Sequence, residues 1–300
     1  NQEKIDGVDI RPVIVNVGNF AKPVDGKPSL LTLDQVETLF HEYGHALHGL
    51  LSQCTYKSVA GTSVARDFVE LPSQIMENWA FSKEMLQQYA IHYQSGEVMP
   101  EEMIEKIHKC STFNEGFNTT ELLAAALSDF DIHAVQSADE VNVAEFERQA
   151  LRQKRGLISQ IEPRYHYTYF SHIFDGGYSA GYYFYIWAEV LDKDAYQAFV
   201  ESGDLFDRAT ADRLRGEILS RGGSRDGMDM YRAFRGADPD KTAMLVARGL
   251  VKAEDVAQSE PERVREIAKV DTREQARQRA ERSRQEREAA RQQAEAEAQE

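Results

Sequence analysis

Hydrophobic residues recur at intervals of three and four over most of this chain, which is the spacing of one face of an α-helix. The segment 31–53, LTLDQVETLFHEYGHALHGLLSQ, shows the pattern most clearly and predicts a half-buried helix. Further helices are predicted by the same spacing over 82–94, 100–117, 119–135, 143–153, 223–236 and 240–250. We therefore expect a mainly α fold.

Two segments add detail to this pattern. In 65–81, ARDFVELPSQIMENWAF, Pro72 suits the first turn of a helix, so a second amphipathic helix should begin close to Glu70. The segment 11–20, RPVIVNVGNF, is rich in β-branched residues and predicts a strand, and PVDGKP at 23–28 predicts a turn. The expected fold thus includes one small β element beside the helices.

The C-terminal segment 253–300 differs in composition from the rest. Residues 271–300 contain no Val, Leu, Ile, Phe, Tyr, Trp or Met and consist mostly of Glu, Arg, Gln and Ala. Such a segment cannot bury a core, and it lacks the apolar stripe that a coiled coil needs. We predict a globular region over 1–252, followed over 253–300 by a charged tail that is either a solvated helix or disordered.

Charge, hydropathy and cysteine content limit the binding partners and cellular locations that we expect for this protein. With 35 Lys and Arg against 50 Asp and Glu, the formal net charge is −15, which argues against nucleic-acid binding. No apolar run reaches the length of a membrane span. Cys54 and Cys110 show neither a CxxC spacing nor a disulfide framework, which suits a reducing compartment. We expect a cytoplasmic monomer, and a periplasmic location is the alternative because the chain opens at Asn1 and not at a methionine.

The strongest chemical signal is the HExxH motif of His41, Glu42 and His45. Positions i and i+4 of a helix lie on one face, so both imidazoles can ligate a single zinc ion. Glu42 lies beside them, where its carboxylate can accept a proton from a water that zinc activates. These polar groups are costly on a half-buried helix unless they are paired or bound to metal. The motif therefore predicts a zinc site with its general base.

A catalytic zinc site needs a third protein ligand and an open fourth position. Glu70 is a candidate, because a second helix that crosses the first could bring its carboxylate to the metal. The spacing alone leaves another interpretation open, in which Glu70 is an ordinary first-turn glutamate favoured by the helix dipole.

Longer segments resemble one known family. FHEYGHALHGLLS at 40–52, followed by GTSVARDFVELPSQIMENW at 61–79, resembles the thimet-oligopeptidase-like zinc metallopeptidases, which include oligopeptidase A and the bacterial dipeptidyl carboxypeptidases. HIFDGGYSAGYYFYIWAEVL at 172–191 is similar to the glycine- and tyrosine-rich substrate loop of that family. The resemblance runs from about Arg11 to about Leu250. It implies a zincin-type catalytic domain in which Glu70 is the third ligand of one Zn²⁺ ion.

The glycine- and tyrosine-rich segment also has a chemical rationale of its own. The phenols of Tyr178, Tyr182 and Tyr185 can contact a peptide substrate, and a phenol O–H can stabilise the oxyanion of amide hydrolysis. By resemblance, Tyr178 and Tyr185 are the transition-state and substrate contacts, and His172 is an auxiliary donor. The alternative is an aromatic packing cluster without a catalytic role.

Two further contacts are expected near the zinc site. Gly61, in the loop VAGTSVARD, can bring its backbone close to an extended peptide and bind it like an added strand. The family usually has serine where this chain has Ala60, so the resemblance supports a backbone contact there rather than a side-chain contact. Glu37 or Asp67 could accept the second ring N–H of a zinc-bound histidine, and each could equally be a solvated carboxylate.

These features predict a zinc peptidase acting on short peptides. The segment 114–133, NEGFNTTELLAAALSDFDIH, resembles the dipeptidyl carboxypeptidase branch, which favours release of C-terminal dipeptides over internal cleavage by an oligopeptidase. The sequence does not identify the cationic pocket that such an exopeptidase needs for the free α-carboxylate. Complete family members are more than twice this length, so the chain resembles their catalytic half. The alternatives are a zinc hydrolase of non-peptide substrates and a non-enzymatic helical binding module without a complete cleft.

Overall fold

The computed structural model describes residues 2–24, 26, 28–137 and 141–255. Its regular structure is mainly helical, as the sequence predicts. The α-helices of the described part are α1 (Leu33–Leu50), α2 (Leu71–Ala80), α3 (Lys83–Tyr89), α4 (Glu101–Cys110), α5 (Glu115–His133), α6 (Val143–Arg148), α7 (Ser171–Phe174), α8 (Phe184–Ser202), α9 (Arg208–Leu214), α10 (Gly227–Arg235) and α11 (Thr242–Ala247). From residue 256 onward, the predicted charged tail lies outside the described residues.

Shorter helical segments connect these elements. π-Helical turns follow α6 and α9 directly, and three 3₁₀ turns lie in loops; their bounds are Gln149–Lys154, Arg215–Leu219, Lys57–Val59, Arg66–Phe68 and Gly222–Ser224.

The small β element lies upstream of its predicted position. Strands β1 (Glu3–Ile5) and β2 (Val8–Ile10) form an antiparallel hairpin in which Glu3 pairs with Ile10. The predicted strand over 11–20 is wrong, since the structure assigns no strand to that segment. Its alternate valines, Val13, Val15 and Val17, are 87%, 75% and 85% exposed. β-Branched content alone does not make a strand, because a strand needs a neighbouring strand to pair with.

Helix α1 begins where its sequence provides a complete capping box. The Thr32 hydroxyl accepts the backbone N–H of Gln35, and the Gln35 side chain accepts the N–H of Thr32. Asp34 lies in the first turn, where a negative charge is favoured by the helix dipole. Helix α2 begins immediately after Glu70 and has Pro72 in its first turn, as the sequence predicts.

The crossing of α1 and α2 depends on a glycine inside the HExxH motif. A Cβ atom at Gly44 would lie 2.2 Å from the carbonyl oxygen of Pro72 and 2.6 Å from the Cα of Ser73. Only glycine leaves room for so close an approach of two helix backbones. The crossing fixes the distance between the histidines of α1 and the N-terminal end of α2.

Two buried clusters support the region around these helices. The larger cluster joins α2, α8 and α10 through residues such as Leu71, Ile75, Leu191 and Tyr231. The smaller cluster contains Ala125, Ala126, Tyr167, Phe170, Ile173 and Tyr182. Among the described residues, no helix has both the length and the apolar character required to cross a bilayer.

Candidate metal centre and catalytic site

Helices α1 and α2 bring three ligating side chains together. His41 and His45 lie one turn apart on α1, and Glu70 immediately precedes α2. The Nε2 atoms of His41 and His45 lie 3.3 and 3.2 Å from Oε2 of Glu70. One ligand atom from each of the three residues lies within 4.8 Å of the other two.

This geometry fits a tetrahedral metal ion. Zinc binds nitrogen and oxygen ligands at about 2.0–2.2 Å, which places neighbouring ligand atoms of a tetrahedron about 3.3–3.6 Å apart. The two distances to the Glu70 oxygen are close to this range. Burial alone would raise the pKa of Glu70, but hydrogen bonds from the two histidines and from Tyr178 hold that pKa well below its usual range. The carboxylate therefore stays ionised and can ligate a cation.

Glu77 orients the first histidine and was missed by the sequence analysis. Its Oε1 lies 2.6 Å from Nδ1 of His41, the ring nitrogen that does not face Glu70. Burial alone would lower the pKa of His41, but hydrogen bonds to Glu70 and Glu77 raise it to about 10. Carboxylates in this position fix the orientation and basicity of metal-ligating histidines. The spacing held a signal, because Glu70 and Glu77 are seven residues, or two helical turns, apart.

Two interpretations were open for Glu37 and Asp67, and the described residues show no hydrogen bond between either carboxylate and a candidate zinc-ligating histidine. Nδ1 of His41 contacts Glu77 and not Glu37, and Nδ1 of His45 has no described hydrogen-bond partner. Glu37 instead lines the neighbouring cavity, where burial and the charge of Glu77 raise its pKa. Asp67 was the other candidate, and burial together with the charge of Asp67 raises the pKa of Tyr183.

Tyr178 contacts the third candidate ligand directly. Its hydroxyl donates to Oε1 of Glu70 at 2.5 Å, while the Ser73 hydroxyl donates to Oε2 at 2.9 Å. The ring of Tyr185 stacks on that of Tyr178, with centroids 5.3 Å apart and planes 15° from parallel. Burial and the nearby Glu70 carboxylate raise the pKa of Tyr178 to about 12. The phenol is therefore a neutral donor at physiological pH.

The loop that carries Tyr178, residues 175–183 and hereafter the tyrosine loop, has an unusual backbone. Gly177 and Ala180 have φ angles of +80° and +53°. The completely buried carboxylate of Asp129 on α5 accepts the backbone N–H groups of Ala180 at 2.9 Å and Tyr182 at 2.8 Å. Asp129 lies in the predicted helix over 119–135 and was not among the predicted site residues. Its hydrogen bonds hold the loop in a conformation that a non-glycine residue such as Ala180 rarely adopts.

Two cavities meet at Glu42. The main cavity has a volume of about 760 Å³, and its wall includes His41, Glu42, His172, Tyr182 and Tyr185. A smaller edge cavity of about 240 Å³ is lined by residues that include Glu42, His45 and Gly61. Glu70 and Tyr178 line neither cavity, and they join this region because Glu70 contacts both histidines and Tyr178 contacts Glu70.

The surroundings of Gly61 restrict its expected role. Gly61 has a φ of +58°, and a Cβ there would lie 3.1 Å from the Cα of Gly49 on α1. Its N–H already donates to the hydroxyl of Ser52 at 3.2 Å. Strand-like pairing with a peptide would therefore use other backbone groups of the same loop.

Comparison with known proteins places this chain in a family. The profile of Peptidase family M3 matches residues 5–250. A dipeptidyl carboxypeptidase of Salmonella typhimurium is 50% identical over 243 residues, which are 81% of this chain and 36% of that protein. The dipeptidyl carboxypeptidase of Escherichia coli is 48% identical over 240 residues, 80% of this chain and 35% of that protein. Oligopeptidase A of Escherichia coli is 41% identical over 253 residues, 82% of this chain and 36% of that protein.

The matched segment is therefore a part of each relative. The chain spans about 36% of the length of these curated proteins. Within that span, the profile covers the two helices of the candidate metal centre and the whole tyrosine loop. The resemblance found in the sequence is confirmed: this chain belongs to peptidase family M3.

Proposed function

We propose that this chain carries the catalytic site of a zinc peptidase that releases dipeptides from the C-terminal end of short peptides. The observation that carries the proposal is the convergence of His41, His45 and Glu70 beside Glu42 and Tyr178. Two imidazoles and one carboxylate are a common ligand set of catalytic zinc. A zinc ion in this position supplies Lewis-acid activation of the attacking water and the scissile carbonyl.

Glu42 is the proposed general base. Its exposed carboxylate lines both cavities, so it faces the region where a peptide bond would lie. Glu42 accepts a proton from the water as the water oxygen forms a bond to the carbonyl carbon. It then delivers that proton to the amide nitrogen as the C–N bond breaks, which releases an amine and a carboxylic acid, and the acid then loses its proton to solvent.

The tyrosines are the proposed donors to the reacting carbonyl. The Tyr178 hydroxyl donates to Glu70 in this structure, and rotation of the phenol toward the substrate would place it on the developing oxyanion. Tyr185 stacks on Tyr178 and lines the main cavity together with His172 and Tyr182. We assign Tyr185 to the same oxyanion, His172 to an auxiliary hydrogen bond, and Tyr182 to substrate binding.

The proposed mode of cleavage rests on the relatives. Those named dipeptidyl carboxypeptidase are 50% and 48% identical to this chain, against 41% for oligopeptidase A of Escherichia coli. This difference favours exopeptidase action over internal cleavage. The proposal also retains a cytoplasmic location, which agrees with the two free cysteines, Cys54 and Cys110.

Turnover by the zinc-loaded chain tests the proposal. A short peptide should lose its C-terminal dipeptide, and the amidated form of the same peptide should react much more slowly. Chelation should stop the reaction, and Glu42→Gln should stop it while zinc remains bound. Equal cleavage of both peptides would instead support an oligoendopeptidase. Zinc binding without any hydrolysis would support a non-enzymatic binding module.

A further inference from the structure

Among the described residues, three arginine or lysine side chains line the main cavity, and two of them are already paired. Arg248 contacts the carboxylates of Glu189 and Glu115. The Lys193 ammonium lies 3.1 Å from Asp192 and donates to Asn78 at 2.8 Å. Neither cation can bind an anion in the cavity without giving up these partners.

Arg164 is the third cation, and its surroundings are different. In the part of the chain that the structure describes, no carboxylate oxygen lies within 4.0 Å of its side-chain nitrogens. Its guanidinium carbon lies 5.5 Å from the ring centroid of Tyr165, in a cation–π contact. The side chain is exposed and lines the cavity. Its donors are therefore free for a ligand in that cavity.

A continuous row of rings connects Arg164 with the metal centre. The centroid of Tyr165 lies 5.8 Å from that of His172, which in turn lies 6.2 Å from that of Tyr178. The hydroxyl of Tyr178 contacts Glu70. Arg164 thus lies along the wall that begins at the candidate zinc ligand.

The carboxylates of the cavity lie on other elements. Glu37 belongs to α1, Glu77 to α2, Glu115 to α5 and Glu189 to α8, whereas Arg164 lies in the loop that precedes α7. Within the described part of the chain, a carboxylate ligand is repelled by Glu37 and Glu77, which Arg248 does not pair, and it is attracted to the unpaired guanidinium of Arg164.

We propose that Arg164 binds the free α-carboxylate of the peptide substrate and so selects the C-terminal dipeptide. This inference rests on the proposed dipeptide release. Two extended residues beyond the scissile bond span about 7 Å, and Arg164 lines the same cavity as His41 and Glu42. A guanidinium binds a carboxylate through two parallel hydrogen bonds, and the contact with Tyr165 limits the orientations of the guanidinium plane.

Peptide binding tests whether Arg164 binds the C-terminal carboxylate, and it does so without requiring turnover. The full chain with Glu42→Gln, loaded with zinc, is titrated calorimetrically with one short peptide in two forms, with a free and with an amidated C-terminus. The free form should bind about 10- to 100-fold more tightly, which is the usual worth of a charge-assisted pair. When Arg164→Gln is combined with Glu42→Gln, this preference should disappear, and both peptides should bind with the affinity of the amidated peptide.

Two matched variants exclude a general effect of charge or folding. Arg164→Lys keeps the charge but not the paired hydrogen bonds, and should retain part of the preference. Arg208→Gln removes an arginine that is 83% exposed and paired with Asp212 on α9, and should retain all of it. An undiminished preference in Arg164→Gln overturns the proposal, and so does equal or undetectable binding of both peptides with Arg164 present.

The same variants separate this inference from the proposed function. If the wild-type chain hydrolyses free and amidated peptides equally well, the protein is a peptidase in which Arg164 does not bind the C-terminal carboxylate. A chain that binds the free carboxylate through Arg164 and never hydrolyses the peptide has this binding contact but not the proposed activity.

Discussion

The pair of helices α1 and α2 and the tyrosine loop contribute to the same site in different ways. The helix pair presents His41, His45 and Glu70 from regular backbone, within a few residues of a close crossing at Gly44. The tyrosine loop presents Tyr178 from a turn with left-handed residues, held by Asp129 from a distant helix. The candidate metal ligands therefore depend on helix packing, whereas the position of Tyr178 depends on polar contacts of the loop backbone together with the packing of Tyr182.

This difference in support fits the different chemical roles proposed for the two regions. A metal site requires ligand atoms fixed to within a few tenths of an ångström, and packed helices provide that rigidity. In the proposed reaction, the Tyr178 phenol exchanges its Glu70 partner for the substrate oxyanion, so it must be able to move. Tyr182 anchors the loop in the smaller buried cluster, whereas the Tyr178 hydroxyl is held by its hydrogen bond to Glu70, so Tyr178 can move while the loop stays in place. Mutations in the two regions should therefore separate metal binding from turnover.

The largest effect is expected for Gly44→Ala. The added Cβ would lie 2.2 Å from the Pro72 carbonyl oxygen, so the two helices must separate and the ligands move apart. We expect zinc affinity to fall by more than 100-fold, together with a loss of about 1–3 kcal/mol of stability from overpacking. Competition with a chromophoric chelator and thermal unfolding measure the two effects.

Gly116→Ala is the matched control for this variant. Gly116 lies in α5, and a Cβ there meets no atom within 4 Å. The control should retain zinc affinity and gain up to about 1 kcal/mol from improved helix propensity. Unchanged zinc affinity in Gly44→Ala would show that the helix crossing does not fix the ligand geometry.

The HExxH motif shows what local spacing reveals. His41, Glu42 and His45 could be found because positions four apart share a helix face at any location in a protein. Glu70 was left between two interpretations by spacing and was assigned only through the family resemblance. Its proximity to the histidines arises from the crossing of two helices at Gly44, and no period within a single helix encodes such a crossing.

Glu77→Gln should have the next largest effect, confined to the helix pair. The carboxylate at 2.6 Å from Nδ1 of His41 is replaced by a neutral amide, which orients the imidazole less strongly. Zinc affinity should fall about 10- to 100-fold, the usual cost of losing such a partner. Glu37→Gln, at the position predicted from sequence, should cost much less. A larger loss at Glu37 would reverse the assignment made from the structure.

Asp129→Asn tests the tyrosine loop, although the Asp129 carboxylate also lies 2.8 Å from Nδ1 of His133 on its own helix. One carboxylate oxygen that accepts a backbone N–H becomes an amide NH₂, so a donor in the loop is left without its partner, at a cost of about 1–3 kcal/mol. Zinc content should remain that of the wild type, while kcat falls by about tenfold because Tyr178 is misplaced. Metal analysis, denaturant unfolding and peptide turnover on one preparation provide the comparison.

Asp131→Asn, on the same helix, is the control for Asp129. Its carboxylate pairs with Lys154 and Arg155 and makes no contact with the loop. It should lower stability without lowering kcat. Equal losses of kcat in both variants would show that α5 supports activity only through general stability.

Long-range contacts explain what the sequence could not predict. Asp129 lies 51 residues before Ala180, and nothing in SDFDIH distinguishes it from an ordinary helical aspartate. The failed strand over 11–20 has a related cause. Its valines alternate as in a strand. Alternation shows that one face of the segment could pack in a sheet, but it does not show that a neighbouring strand exists to pair with it. The spacing of hydrophobic residues therefore predicts the helices well, but it does not predict which other element each hydrophobic surface packs against.

The smallest expected effect is a pH dependence that belongs to the helix pair. His48 on α1 is fully buried, and neither ring nitrogen has a partner among the described residues. Burial and the nearby His45 lower its pKa to about 4. Because this pKa lies below the unfolded value of 6.5, the folded state resists protonation. His48 therefore contributes stability that is present above pH 6.5 and is lost as the pH falls toward 4.

Comparison with His48→Leu isolates this contribution. Between pH 7.5 and 5.5, the wild type should lose about 1.3 kcal/mol of unfolding free energy relative to the variant, measured by urea unfolding of chelated protein. Tyr178→Phe is the control from the tyrosine loop. The pKa of Tyr178 is raised to about 12, so that residue does not titrate in this range, and its variant should follow the wild-type pH dependence. If His48→Leu also follows the wild type, the acid sensitivity arises elsewhere, and burial of the imidazole has no energetic consequence for the helix pair.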